Sequence, residues 1–277
     1  MSTASSWVRY WRDGARSLEA MHAHFRNHVY APHSHDTYSF GITDLGAQSF
    51  HCRGANHTSG AGMVMAFNPD EVHDGQAAAE LGYQYRIVHI GPAVVRDVLA
   101  DAAARTTGAM PLFVRPVLTD PVLTTLLARL HGALVDGAGP VERDELLTAT
   151  VLALAERGST KAPRTRGLDG TAQRRAARRA RERLDECFLD QLSADDLAAD
   201  AGCSRFALYR AFRAEFGLAP SEYQRLLRLR RARQLLVGGL TPAQAAASVG
   251  FADQAHLGRW FRRTYGITPA IYQRATH

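Results

Sequence analysis

The chain has 277 residues, 46% of them apolar and 22% charged, with a formal net charge of +6. This length allows about two domains, each with its own core, and the composition is ordinary for a globular protein, so disorder is not the default. No apolar run reaches the roughly 18–20 residues of a membrane span, and the opening MSTASSWVRYWRDG lacks the apolar core of a signal peptide.

Three scattered cysteines, Cys52, Cys187 and Cys203, make no disulfide framework, so a reduced, cytoplasmic setting with no membrane is expected. Charge is unevenly spread along the chain. Residues 1–160 hold 12 arginines against 16 acidic residues, a net of −4, whereas residues 161–277 hold 21 Lys and Arg against 11 acidic residues, a net of +10. The second half therefore suits a polyanion, and the first half has another task.

In chain order, the runs YSFGITDL, QSFHCRG, GMVMAFNP and YQYRIVHIG are broken by Gly, Asn and Pro. They predict a small antiparallel sandwich or barrel over about residues 30–90. After Pro92, the stretches VVRDVLADAAA, DPVLTTLLARLHGALVDG and ERDELLTATVLALAERG take helical spacing. The last two form an αα-hairpin across GAGP, with Leu and Val stripes suited to core or dimer contacts. The segment GSTKAPRTRGLDGT, residues 158–171, reads as a linker between a domain at 1–157 and a second at 172–277.

Beyond the linker every periodic segment is helical. TAQRRAARRARERLDECFL leads in, and SADDLAADAG opens with Ser193 as its N-cap and Asp196 three residues on. TPAQAAASVG places Thr241 at the cap, Pro242 at the first helical position and Gln244 at the third. A repeat then stands out. FRAEFGLAPSEYQR, Phe212 to Arg225, recurs as FRRTYGITPAIYQR, Phe261 to Arg274, at a constant offset of 49 residues. A repeat of this kind marks one supersecondary unit used twice.

Each copy has a short helix of small residues, a turn at Gly202 or Gly250, and a longer helix closed by Gly217 or Gly266. Leu208, Phe212 and Phe216 form one core stripe; Leu257, Phe261 and Tyr265 form the other. The opposite faces present Phe206 and Arg210 with Arg213 on the flank, and His256, Arg259, Arg262 and Arg263. A short helix, a glycine turn and a second helix with an exposed basic face make a helix-turn-helix, whose second helix enters the DNA major groove. The stretch Pro220 to Val237 between the copies, as a helix, spans about 27 Å. Successive major-groove faces lie about 34 Å apart, so one chain would read two adjacent groove segments.

The strings LAADAGCSRFALYRAFRAEFGLAPSEY and RARQLLVGGLTPAQAAASVGFADQAHLGRWFRRTYGITPAIY resemble the AraC-type transcription factor family over about residues 172–274. The resemblance implies DNA-facing positions at Ser204, Arg205, Phe206, Tyr209 and Arg210 on the first recognition helix. On the second it implies Gln254, Ala255, His256, Gly258 and Arg259, with readout resting on Gln254, His256 and Arg259. PHSHDTYSFGITDLGAQSF and FNPDEVHDGQ resemble, more loosely, the family's cupin-like sensor domain. That resemblance implies an α+β two-domain protein: a cupin-like β-barrel with a helical dimerisation segment, then an all-α double helix-turn-helix. It places a small-molecule effector in residues 30–90 and a homodimer contact in about residues 120–157. The implied partners are double-stranded promoter or operator DNA, the effector and RNA polymerase.

The barrel stretch offers His33, His35, Tyr38, His73, Tyr83 and Tyr85 as effector contacts. By strand alternation Tyr83 and Tyr85 share a face opposite Arg86. His33 and His35, two residues apart, project to one side of a strand and, with His73, make a candidate metal set. The carboxylate that a cupin metal set takes shortly after its HxH is missing, because TYSF stands there. A structural or effector-contacting role is therefore the primary expectation for these histidines, and no cofactor is required. The leading expectation is a ligand-responsive regulator and not an enzyme. A metal-dependent cupin enzyme with a DNA-binding tail and a non-specific architectural DNA protein are the alternatives.

Overall fold

A computed structural model describes residues 6–103, 110–160 and 168–274. The chain forms two compact units, residues 1–135 with 146–165, and residues 136–145 with 166–277. The linker expected at 158–171 falls largely on residues 161–167, outside the described residues.

The first unit is built on strands β1 (Trp7–Asp13), β2 (Leu18–Phe25), β3 (Val29–His33), β4 (Tyr38–Cys52), β5 (Ala55–Gly60), β6 (Val64–Phe67), β7 (His73–Ala77) and β8 (Tyr83–Ile90). Helix α1 (Pro92–Ala102), a short β9 (Val117–Leu118) and α2 (Pro121–Val135) follow. The long strand β4 belongs to two sheets. Its first half sits between β8 and β6, in the order β1-β2-β8-β4-β6-β9. Its second half pairs with β5 and β7, and β7 in turn pairs with β3.

The bend between the two halves falls at Gly46, where φ is +71°. A Cβ there would lie 2.2 Å from the carbonyl oxygen of Gly82, so only glycine fits. The sheet begins earlier than the stretch 30–90 expected from sequence. β1 is an edge strand whose side chains are mostly exposed, so WVRYWRD carries no apolar alternation to reveal it.

Phe25, Phe50, Phe67, Tyr83, Tyr85 and Ile87 pack into one core between the sheets. Tyr83 and Tyr85 therefore face inward together. Arg86, on the other face of β8, forks onto Asp44 with nitrogen–oxygen distances of 2.8 and 2.6 Å.

The second unit is helical. Helix α3 (Pro140–Gly158) contributes its first turn and a half to it. The others are α4 (Gly170–Cys187), α5 (Ala194–Ala201), α6 (Arg205–Phe216), α7 (Pro220–Val237), α8 (Pro242–Ser248), α9 (Gln254–Tyr265) and α10 (Pro269–Arg274). No helix among the described residues is long and apolar enough to cross a membrane.

The start and stop signals act as the sequence implies. Thr241 and Gln244 cap each other's backbone at α8. Gly217 and Gly266 close α6 and α9 in the left-handed conformation, at φ of +71° and +78°. The first repeat packs Leu197, Ala198, Leu208 and Phe212 onto Ala176, Ala180 and Leu184 of α4. The second packs Ala245, Ala246, Leu257 and Phe261 onto Leu229, Ala232 and Leu236 of α7.

The repeat extends to side-chain geometry. Phe212 lies 5.7 Å from Tyr223 between ring centroids, and Phe261 lies 5.6 Å from Tyr272. Arg181 donates to the Tyr223 hydroxyl at 3.2 Å, as Arg233 does to Tyr272 at 3.3 Å. Gln224 donates its amide to the carbonyls of Phe188 and Asp190, and Gln273 to those of Leu236 and Leu240. Each fully buried phenylalanine is the centre of its repeat. Replacing Phe261 by Ala is expected to cost about 3–5 kcal/mol, read as a shift in the urea midpoint of the helical unit, with Phe212→Ala costing a similar amount.

Candidate DNA-reading surface and effector cavity

In both repeats the turn is set by a glycine and a polar cap. Gly202 ends α5 at φ +71°, and the Ser204 hydroxyl then caps α6 by accepting from the Ala207 amide at 3.3 Å. Gly250 follows α8 at φ +76°, and the Asp253 carboxylate caps α9 by accepting from the His256 amide at 2.6 Å. These caps start α6 and α9 with their outer faces clear. Arg210 and Arg213 on α6 are exposed, as are Gln254, Arg259, Arg262 and Arg263 on α9. Arg210 lies over the half-buried Phe206 ring, 5.4 Å from its centroid, which holds its stem against the helix.

Three expected readers sit elsewhere. Arg205 is buried; its guanidinium donates to Asp144 Oδ1 at 3.1 Å and lies 3.4 Å from Asp195 Oδ1. Three residues before Leu208, it falls on the core stripe of α6 instead of the outer face. Tyr209 is half-buried and donates its hydroxyl to Asp144 Oδ2 at 2.7 Å, and burial raises its pKa well above the usual phenol range. His256 is buried as well. Its Nε2 accepts from the Trp260 indole one helical turn on, at 3.0 Å, and burial lowers its pKa. The exposed face expected to carry His256 therefore rests on Gln254 and Arg259.

Sequence reading gave no role to Arg228 on α7. Its buried guanidinium donates to the carbonyls of Phe188 at 2.7 Å, Asp190 at 3.0 Å and Gly250 at 3.1 Å. Phe188 and Asp190 end the α4 segment of the first repeat, and Gly250 is the turn of the second. One side chain thus ties both helix-turn-helix motifs to the helix between them. A Cβ at Gly250 would come within 3.2 Å of that guanidinium and crowd it, and the positive φ there favours glycine as well. Arg228 has no counterpart at the repeat offset, which is why the repeat did not reveal it. By contrast, the recurrence of Tyr223 and Gln224 as Tyr272 and Gln273 was a signal for those residues.

In the first unit, β3 and β7 pair so that His33 lies directly across from His73. His35, just past β3, completes a group whose ligand nitrogens all lie within 4.8 Å of one another. His89 of β8 adjoins it, 4.6 Å from His35 between ring centroids. These rings line a cavity of about 90 Å³ together with Tyr30, Gln48 and Tyr85. The Tyr30 and Tyr85 hydroxyls are 2.9 Å apart. A second cavity of about 220 Å³ shares Tyr30, Phe50, Asp74 and Gly75 with the first.

Burial pushes His73 down to about 4 and His89 to about 3, and lowers His35. These rings are therefore uncharged at neutral pH. Of the expected effector contacts, the cavity brings together His33, His35, His73 and Tyr85. Tyr38 is buried apart from them and donates to the Pro111 carbonyl at 2.9 Å, while Tyr83 is enclosed in the aromatic core. Tyr30, Gln48 and His89 also line the cavity; they lie on β3, β4 and β8, strands that already carry His33, Tyr38 and Tyr85, but were not among the expected contacts.

The Arg228 arrangement is open to a direct check. Arg228→Met removes three charged hydrogen bonds, leaving Phe188 and Asp190 only their Gln224 donor, and is expected to destabilise the helical unit by about 3 kcal/mol. Arg228→Lys, lacking the planar fork, is expected to recover less than half of that loss in the same denaturant titration.

The family models follow this division. The AraC-like ligand binding domain model matches residues 17–153, and a helix-turn-helix domain model matches residues 197–275. The uncharacterized HTH-type transcriptional regulator YbfI of Bacillus subtilis (strain 168) is 26% identical over 227 residues, spanning 81% of this chain and 80% of that protein. The HTH-type transcriptional regulator MtrA of Neisseria gonorrhoeae is 34% identical over 88 residues, 31% of this chain and 29% of that regulator. The crystal structure of a probable AraC family transcriptional regulator from Rhodopseudomonas palustris CGA009 is 27% identical, covering 37% of this chain and 97% of that one, at a TM-score of 0.36. Carrying an AraC-like ligand-binding domain ahead of a helix-turn-helix domain, the chain belongs to the AraC-type family of DNA-binding transcription regulators.

Proposed function

We propose that α6 and α9 read two successive major-groove segments of one operator, and that a small effector held in the β-sheet unit biases this binding. The observation that carries the reading is the pair of helix-turn-helix motifs with exposed Arg210, Gln254 and Arg259, joined through one 18-residue helix. Arginine forks onto guanine O6 and N7, and glutamine onto adenine N6 and N7. Arg210, Gln254 and Arg259 are therefore the base readers in this proposal. Arg213, Arg262 and Arg263 supply phosphate contacts that set affinity and its salt dependence. Ser204 serves as the cap that aims α6, and Phe206 as the platform for Arg210.

The effector reading rests on the cavity lined by Tyr30, Gln48 and Tyr85 beside the histidines. The protein then acts in the cytoplasm as a regulator and not as an enzyme. It works as a homodimer through the α2 and α3 region, in contact with RNA polymerase at its promoters. Support comes from the family and from relatives that include the HTH-type transcriptional activator RhaS of Escherichia coli (strain SE11), 32% identical over 87 residues.

A genomic-fragment binding selection with full-length protein is expected to enrich one motif with two contact blocks about 10 base pairs apart; uniform recovery of all fragments would overturn the reading. On that motif, Arg210→Ala is expected to cost about 1–3 kcal/mol and relax preference at one base pair. Arg262→Ala is expected to weaken all sequences alike and reduce the salt slope by about 1.

A further inference from the structure

We propose that His33, His35 and His73 form a binding site for one divalent transition-metal ion of the zinc class, with an open position facing the β-sheet cavity. The first support is convergence from separate parts of the chain. The pairing of β3 with β7 sets His33 across from His73, and His35 returns to the same side two residues later. Ring centroids in the triad are 5.0, 4.6 and 5.4 Å apart. Zinc–nitrogen bonds of about 2.0–2.1 Å in a tetrahedron place ligand nitrogens about 3.3 Å apart. The ligand nitrogens here all lie within 4.8 Å of one another, at most about 1.5 Å from that spacing.

The second support is the hydrogen bonding behind the ligands. His33 donates from Nδ1 to the Ala31 carbonyl at 2.8 Å, and His73 donates from Nδ1 to the Glu71 carbonyl at 2.9 Å. A carbonyl only accepts, so both rings carry their proton on Nδ1 and keep the Nε2 lone pair free. Metal-binding histidines are oriented in this way by partners on the far nitrogen. The His73 ring is also fixed in plane, stacked on Phe67 at 3.9 Å with 5° between the rings. The two cross-strand ligands are thus pre-oriented before any ion arrives.

The third support is the composition and size of the site. Three neutral imidazoles suit Zn²⁺, Ni²⁺, Cu²⁺ or Fe²⁺, and not the oxygen-seeking Mg²⁺ or Ca²⁺. Neutral ligands leave the ion's double positive charge uncompensated. The cavity of about 90 Å³ has room for an ion and a few further atoms. An effector that reaches the open position therefore brings an anionic or neutral oxygen or nitrogen donor, with Tyr30, Tyr85 and Gln48 within the same cavity. This last step rests on the effector reading above; the metal site does not.

The test is metal content, measured without reference to DNA or effector. Full-length protein purified through a tag free of histidine is expected to hold close to one equivalent of zinc-class metal by plasma mass spectrometry. Stripped with a chelator and reloaded with Co²⁺, it is expected to show the intense visible bands of a low-symmetry nitrogen-coordinated site. His33→Ala and His73→Ala are expected to lose both signals, and His51→Ala, outside the cluster, to retain them. Wild-type protein with metal well below one equivalent and no Co²⁺ bands overturns the proposal, and so does metal retained by folded His73→Ala. The Co²⁺ spectrum of the wild-type chain decides the matter even where a variant fails to fold. Operator binding measured in parallel stays a separate readout, so loss of the metal proposal leaves the regulator reading standing.

Discussion

The guanidinium of Arg228 sits inside the helical unit with its charge spread over three main-chain carbonyls. Two of the bonds end at the close of α4, on Phe188 and Asp190, and the third at the turn of Gly250, so a side chain of α7 joins both stretches. Burial lowers its pKa, yet arginine stays charged, so the site holds a buried cation whose donors these carbonyls satisfy. The consequence is geometric. The two recognition helices cannot be repositioned independently without breaking a buried charged hydrogen-bond network. A repeat that would otherwise be two small bundles on a string becomes one ruler.

Around that tie the two repeats solve the same packing problem with the same residues. A phenylalanine fills each core, a tyrosine closes over it, and a glutamine amide covers carbonyls left at a helix end. The outer faces are free of these duties, which is why they hold exposed Arg210, Gln254 and Arg259. The β-sheet unit assigns its residues differently. There the register of β3 against β7 and of β4 against β8 gathers histidines from distant parts of the chain. Backbone carbonyls then decide which ring nitrogen His33 and His73 present.

Much of the helical unit was legible in the sequence, because its signals are local. Caps at Ser193 and Thr241, the stop glycines and the core stripes each depend on neighbours within one or two turns. The second-helix faces were legible only in part. Periodicity marks which residues share a face, but Arg205 and His256 stand at the edge of a core stripe, where tertiary contacts decide. Arg228 left no trace, since its partners are carbonyls, and carbonyls look alike in any sequence. In the sheet unit, the HxH spacing and His73 pointed to one site, whereas Gln48 and His89 join it only through strand pairing, and Tyr30 shares β3 with His33 but carries no motif that marks it. β1 was missed because an exposed edge strand need not alternate.

The central claim is that a single chain holds α6 and α9 at a fixed separation and reads two groove segments at once. The most direct measurement is the affinity of full-length protein for its selected operator against the same operator carrying about 5 extra base pairs, half a helical turn, between the two contact blocks. The ruler predicts that the insertion abolishes the contribution of one block, so affinity falls to that of an operator with the block scrambled. Undiminished affinity across the insertion would contradict it, since it would mean that the two recognition helices find their segments independently.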